Sequence, residues 1–232
     1  MASRNTHFAL ASMFAAALAI VFAAASIAVA AAPQASANPS GSHATITFRK
    51  VFKSSFPEFV EIKIDESGSG TFDIRQLADA ANPQPFEAGA ALVGKIFGLA
   101  AKLRDFDGID LEVHHRLANL GEKTFRYEKG GEAHEVTFNY TLNPSASELL
   151  DIFEGLARQE QDLSDLVRTL RYDRLGVNDV LVQTDDDYTH NVLPEPQRLL
   201  GALDQAAADE NIMDIARRRA RELAARIRSA SP

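Results

Sequence analysis

In the run "FVEIKIDE", Val60, Ile62 and Ile64 alternate with Glu61, Lys63 and Asp65. A period of two puts the apolar side chains on one face of a strand and the charged ones on the other. That is the pattern of an antiparallel sheet with one face on a core and one in water. The same period appears upstream in "ATITFRKVFK", at Ile46, Phe48 and Phe52. Downstream, the glycine turn "ESGSG" folds back "TFDIR" with Phe72 and Ile74 inward. Farther on, Phe125 and Tyr127 alternate with Arg126 and Glu128, and Val136, Phe138 and Tyr140 alternate with Thr137 and Asn139. The pair Gly130-Gly131 between those runs is a hairpin signal.

The rest of the chain reads as helix. "DAANPQP" breaks the first meander, and from 86 to about 104 the residues Leu92, Ile96, Leu99 and Leu103 fall at helical spacing. Phe97 and Ala100 widen that stripe, so this helix is expected to pack broadly on the sheet. In "NPSASELLDIFEGLARQEQDLSDLVRTLRY", Ser145 and Glu148 match a capping box with Pro144 just outside. Leu149, Phe153, Leu156, Leu163, Leu166 and Leu170 make one stripe. Continuous to Tyr172, such a helix is about 40 Å long. That is more than the sheet needs, so its far end should meet two further helices, over 195–208 and 211–228. This last pair resembles one helical hairpin of a HEAT-type array. No second copy recurs at a fixed period, which argues against a solenoid. The expected fold class is α+β: an antiparallel sheet of about five strands with a packed helix over 44–142, then a helical extension over 143–232.

The N-terminus reads as a targeting segment over 1–37. Arg4 and the amino group form a short positive start, and the 25 residues from Phe8 to Ala32 carry no charge. Small residues at Ala35 and Ala37 fit a signal-peptidase site, with the mature chain starting near Asn38, and an alternative cut follows Ala30. Residues 38–43, "NPSGSH", read as a flexible lead-in. The competing reading is an uncleaved anchor, because the apolar run is long enough to span a bilayer. A cut chain is periplasmic or secreted. An uncut one is held at the inner membrane with residues 38–232 outside.

Composition excludes several chemistries. No cysteine is present, so a thiol nucleophile, a disulfide framework, a thiolate metal site and a lipid-bearing cysteine are ruled out. The net charge of −8 argues against a nucleic-acid partner. Gly-x-Ser-x-Gly, Ser-x-x-Lys, His-Glu-x-x-His and a phosphate loop are all absent, so no cofactor is expected.

The run "VEIKIDESGSGTFDIR", a helix, and then "GEKTFRYEKGGEAHEVTFNY" resemble uncharacterised exported bacterial proteins laid out as hairpin, helix, hairpin, helix. The resemblance covers residues 44–170. It implies a fold and a compartment, and it carries no activity and no site residues.

The densest polar stretch is "RDFDGIDLEVHH", residues 104–115. A calcium loop aligned on Gly108 puts Asp105 and Asp107 at ligand positions but Leu103 and His114 at the two ends, so it fails. His114 and adjacent His115 diverge on a helix or a strand and cannot share one ion. Asp110 and His114 are spaced i, i+4 and would share a helical face, which makes them the candidate pair for a metal or an acid/histidine catalytic site. The plainer expectation is a turn at Asp107-Gly108. Asp110 would then cap a short helix "LEVHHRLANL", with Asn119 and Gly121 closing it.

Two other charged groups stand out. Asp185, Asp186 and Asp187 with His190 read as a solvated helix end or loop before Pro194. Arg217, Arg218, Arg219, Arg221, Arg226 and Arg228 line a helix whose apolar side is Ile212, Ile215, Leu223 and Ile227. Such a helix can lie on anionic lipid or pack on its own domain with a solvated cationic face. The functional expectation is a non-enzymatic exported binding protein with a protein or peptide partner, engaged through a strand edge or the helical tail. A small hydrolase built on Asp110 and His114 is the alternative. Membrane contact requires the uncleaved segment or the 211–228 helix on lipid.

Overall fold

The computed structural model describes residues 43–230, so the readings for the targeting segment and for most of the lead-in lie outside them. Among the described residues are six strands: β1 (Thr45–Val51), β2 (Phe59–Asp65), β3 (Ser69–Arg75), β4 (Gln84–Glu87), β5 (Glu122–Lys129) and β6 (Glu132–Phe138). Five helices accompany them: α1 (Ala90–Lys102), α2 (Pro144–Tyr172), α3 (Val177–Thr189), α4 (Leu200–Ala208) and α5 (Asp214–Ala230). The strands form one antiparallel sheet in the order β4-β3-β2-β1-β5-β6. This is an α+β fold with a helical C-terminal region. Among the described residues, no helix is long and apolar enough to cross a membrane.

The register explains the core. Phe48 lies opposite Ile62 on one side and Phe125 on the other, and Ile46 lies opposite Ile64 and Tyr127. Because side chains alternate, these residues share one face. They are buried, Tyr127 only in part, with Ile96 and Leu99 of α1 and with Leu149, Phe153 and Leu156 of α2. The opposite face is polar, with Arg49 on Glu61 and Arg126 on Glu128 and Glu135. A second apolar cluster joins Leu166 and Leu170 of α2 to α3, α4 and α5.

Several local expectations need correction. The sheet has a sixth strand: Gln84–Glu87 pairs with β3, and α1 begins only at Ala90. The cap of α2 is Asn143, whose Oδ1 accepts from the Ser145 and Ala146 N–H groups, and Pro144 sits in the first turn. Glu148 instead reaches Lys95 of α1 at 2.8 Å. No helix forms over "LEVHHRLANL"; residues 107–121 are irregular. Arg104, Asp105 and Phe106 all have positive φ, of 55°, 50° and 67°. Left-handed backbone at non-glycine residues costs roughly 1–2 kcal/mol each. The turn drives Phe106 into the core, where it stacks on Phe125 at 5.4 Å.

Candidate functional site

The structure does bring Asp110 and His114 together, although not on a helix. His114 Nε2 donates to Asp110 Oδ2 at 2.7 Å, and Asp110 Oδ1 accepts from the Glu112 N–H. The His114 hydrogen bond, and then the Glu112 N–H, hold the Asp110 carboxyl below its ordinary range. Asp110 in turn raises the His114 pKa above 6.5. Both side chains are open to solvent, at 66% and 74% exposure. Among the described residues, no group of three or more histidine, aspartate or glutamate side chains is placed to hold a metal. His114 should therefore titrate above 6.5, and Asp110→Asn should return its midpoint toward that value. An NMR titration of the imidazole protons checks both; equal midpoints in the two proteins would show that the pair does not form in solution.

The segment that carries this pair is fixed by Asn139, Glu112 and Lys123, of which only Glu112 falls in the stretch the sequence singles out. The Asn139 Oδ1 accepts from the Leu120 N–H at 2.7 Å, and its Nδ2 donates to the Ala118 carbonyl at 3.0 Å. The Glu112 carboxylate accepts from the Asn139 and Val113 N–H groups. Lys123, only 5% exposed, donates to the carbonyls of Leu120, Gly121 and Asn139 at 3.1, 3.0 and 2.7 Å. Burial, and then nearby Lys50, lower the Lys123 pKa. Three carbonyl acceptors nevertheless use all three donors of an ammonium, so the group acts as a charged pin rather than a nucleophile. A left-handed Gly121, at φ 89°, lets the chain pass over Phe52 into β5, because a Cβ there would stand 2.8 Å from the Phe52 Cβ.

This pinned segment walls an open cleft of about 720 Å³ at the end of β1, β5 and β6, lined by Val51, Lys53, Glu112, Leu117, Asn119 and Thr137 among others. Leu117, which lines it, is 43% exposed, and Leu120, Tyr140 and Leu142, close in sequence to the lining residues Asn119 and Asn139, are exposed at 43%, 41% and 67%. Neither Asp110 nor His114 lines that cleft.

A different polar cluster lies buried where α2 passes between the two apolar clusters. Gln159, Glu160 and Asp162 are 0%, 2% and 4% exposed. Glu160 pairs with Arg198 of the 3-10 turn Pro196–Leu199, and the Arg198 guanidinium lies 5.3 Å over the Phe86 ring. Burial raises the Glu160 pKa, with Arg198 opposing it. Gln159 Oε1 accepts from the Glu195 N–H at 2.8 Å, and Glu195 Oε1 accepts from the Gly89 N–H at 2.7 Å. Arg158 Nε lies 2.6 Å from Asp187 Oδ2 and 3.5 Å from Asp162 Oδ1. Burial above all pushes Asp162 up to about 7, Arg158 opposing and Asp187 reinforcing the shift.

Asp185, Asp186 and Asp187 thus lie at the end of α3, as the helix-end reading has it, but Asp187 is buried at 8% exposure rather than solvated. Asp186 does face outward, toward His190 at 3.4 Å, whereas half-buried Asp185 pairs with Arg226 of α5. The basic face of α5 is largely engaged within the chain: Arg217 with Asp214, Arg219 with Asn178, Arg226 with Asp185, and Arg228 with Asp204. Ile215, expected on the apolar side, is 46% exposed, while Ile212, Leu223 and Ile227 are buried. No family model matches the chain, and no curated protein is similar to it.

Proposed function

We propose that the chain is an exported cell-envelope protein that binds a protein or peptide partner and performs no catalysis of its own. The observation that carries this reading is the cleft walled by residues 107–121. An irregular segment of this length inside a compact domain is uncommon and tends to be a binding element. Here it is held rigid by Asn139, Glu112 and Lys123 and presents Leu117 beside polar groups that can fix an extended backbone. Rigid presentation lowers the ordering cost of binding. The β6 edge runs into the same cleft through Thr137 and Phe138, so strand addition is the expected mode. The hydrolase alternative needs a concave pocket around Asp110 and His114, and their exposure gives it no support.

Export rests on the uncharged run from Phe8 to Ala32. Mass spectrometry of the exported chain reads its N-terminus: a start near Asn38 supports release, and an intact Met1 supports tethering. For binding, a partner retained by the wild-type chain from an envelope extract should lose roughly 30-fold or more in affinity to Leu117→Asp with Leu120→Asp, the scale of losing an interface hot spot. Unchanged circular dichroism keeps the comparison fair. Equal retention by the variant removes the cleft from the reading.

A further inference from the structure

We propose that Asp162, Asp187 and Arg158 form a pH-sensitive latch between α2 and the C-terminal helices, closed while a proton on the Asp162 carboxyl bridges to Asp187 and loosened when that proton leaves. The geometry carries this. Asp162 on α2 and Asp187 on α3 are 4% and 8% exposed, and they face a single guanidinium, that of Arg158. One cation cannot neutralise two buried carboxylates. Asp162 Oδ2 is buried and meets no donor within the protein, yet the Asp162 carboxyl is within hydrogen-bonding reach of Asp187. Two acceptors joined in this way need a proton between them, and like carboxylates at one site raise the affinity for that proton.

The neighbours from each packed element leave that balance intact. On α2, Asp165 adds negative charge and is itself held by Arg168 at 2.9 Å. On α3, neutral Gln183 donates to Asp187 at 3.3 Å. From the end of β3, Arg75 and Asp79 face Gln161 and Asp165 across a groove of about 310 Å³, and Arg75 is bound to Asp73. From the 3-10 turn, Arg198 is taken by Glu160. Among the described residues facing the pair, every other cation is engaged by a carboxylate of its own.

The sign follows from linkage. The folded chain keeps the Asp162 proton up to about pH 7, whereas an unfolded aspartate loses it near 3.8. Between these values the folded state binds more protons, so this cluster's contribution to stability falls as pH rises through that window and is level above it. The break opens along the α2–α3 seam, because that is where the two charges meet.

The test uses the full chain, wild type and Asp162→Asn, melted at pH 5 and pH 8. The asparagine amide donates to Asp187 without a titrating proton. The wild-type Tm should fall by about 5 °C more than the variant's between these pH values, the scale of one to two kilocalories in a chain of this size. Hydrogen exchange, corrected for intrinsic rates, should show α3 losing roughly tenfold more protection than β1 at pH 8 in the wild type alone, the factor for about one pKa unit. Equal pH slopes in the two proteins would overturn the latch, as would equal losses in α3 and β1. If Asp162→Asn does not fold, Asp187→Asn removes the acceptor of the Asp162 proton and is held to the same outcomes.

Discussion

Arg198→Ala should lower the unfolding free energy by about 3 kcal/mol, because removing one partner of a buried ion pair leaves the other charge without compensation. The charge left behind is Glu160, 2% exposed and already raised in pKa by its burial. Without the guanidinium, Glu160 takes up a proton more readily in the folded state. The deficit should therefore be smaller at pH 5 than at pH 8, since the folded variant then binds more protons than its unfolded form. The substitution also removes the cation over the Phe86 ring, at the only inward residue of the β4 edge strand. Urea denaturation at the two pH values measures both effects. Arg198→Met with Glu160→Leu removes both charges, and a double variant more stable than Arg198→Ala alone would assign the loss to the stranded carboxylate. A loss below about 1 kcal/mol, the range of solvent-exposed pairs, would mean that Glu160 is hydrated in solution.

What the sequence revealed and what it hid follow from the range of the interactions involved. The alternation at Val60, Ile62 and Ile64 is a local signal, and β2 forms where it predicts. Gly130-Gly131 turns β5 into β6 because both glycines take positive φ, 60° and 91°, as a tight hairpin demands. β4 was hidden: four residues with one inward side chain, Phe86, and a proline cannot display a period. The reading of residues 111–120 failed for a different reason. Asp110, Glu112 and Asn119 can cap a helix or tie down an irregular segment equally well. The choice is made by Asn139, which is distant in sequence, and by the Lys123 ammonium, which is near in sequence but reaches across to the Asn139 carbonyl; both supply donors. The Asp110–His114 pair was legible as a spacing, but whether it lies in a cleft or on an open surface is a tertiary property. The buried acids are the clearest case. Glu160 falls within the apolar stripe, four residues after Leu156 and three before Leu163, and Asp162 lies to one side of it. The pattern shows charges where it predicts a core, and only Arg198 and Asp187, brought over by later segments, explain why they are buried there.

Phe125→Ala should cost about 3–5 kcal/mol, the range for deleting a large aromatic side chain from a packed core. Phe125 is fully buried, and its ring centroid lies within 5.3–6.1 Å of those of Phe48, Phe106, Phe138 and Phe153. Loss of its ring leaves a void bounded by β1, α2 and the left-handed turn that delivers Phe106, and a strained turn relaxes first when its anchor contact is gone. The effect should not stay in the sheet. α2 is one continuous helix with Phe153 in the first apolar cluster and Leu166 and Leu170 in the second. At Gly155, a Cβ would run into the Val192 carbonyl, so the segment entering the 3-10 turn lies directly on the helix. The Glu195–Gly89 and Arg198–Phe86 contacts then join that segment to the start of α1 and to β4. Local loosening of the sheet must therefore break contacts that hold the C-terminal helices in place. Hydrogen exchange should show β1 and α5 losing protection by the same factor, on the order of a thousandfold for about 4 kcal/mol. Retained protection in α5 would mean that the sheet opens while the C-terminal helices stay packed, and that the polar layer on α2 stops loosening of the sheet rather than passing it on.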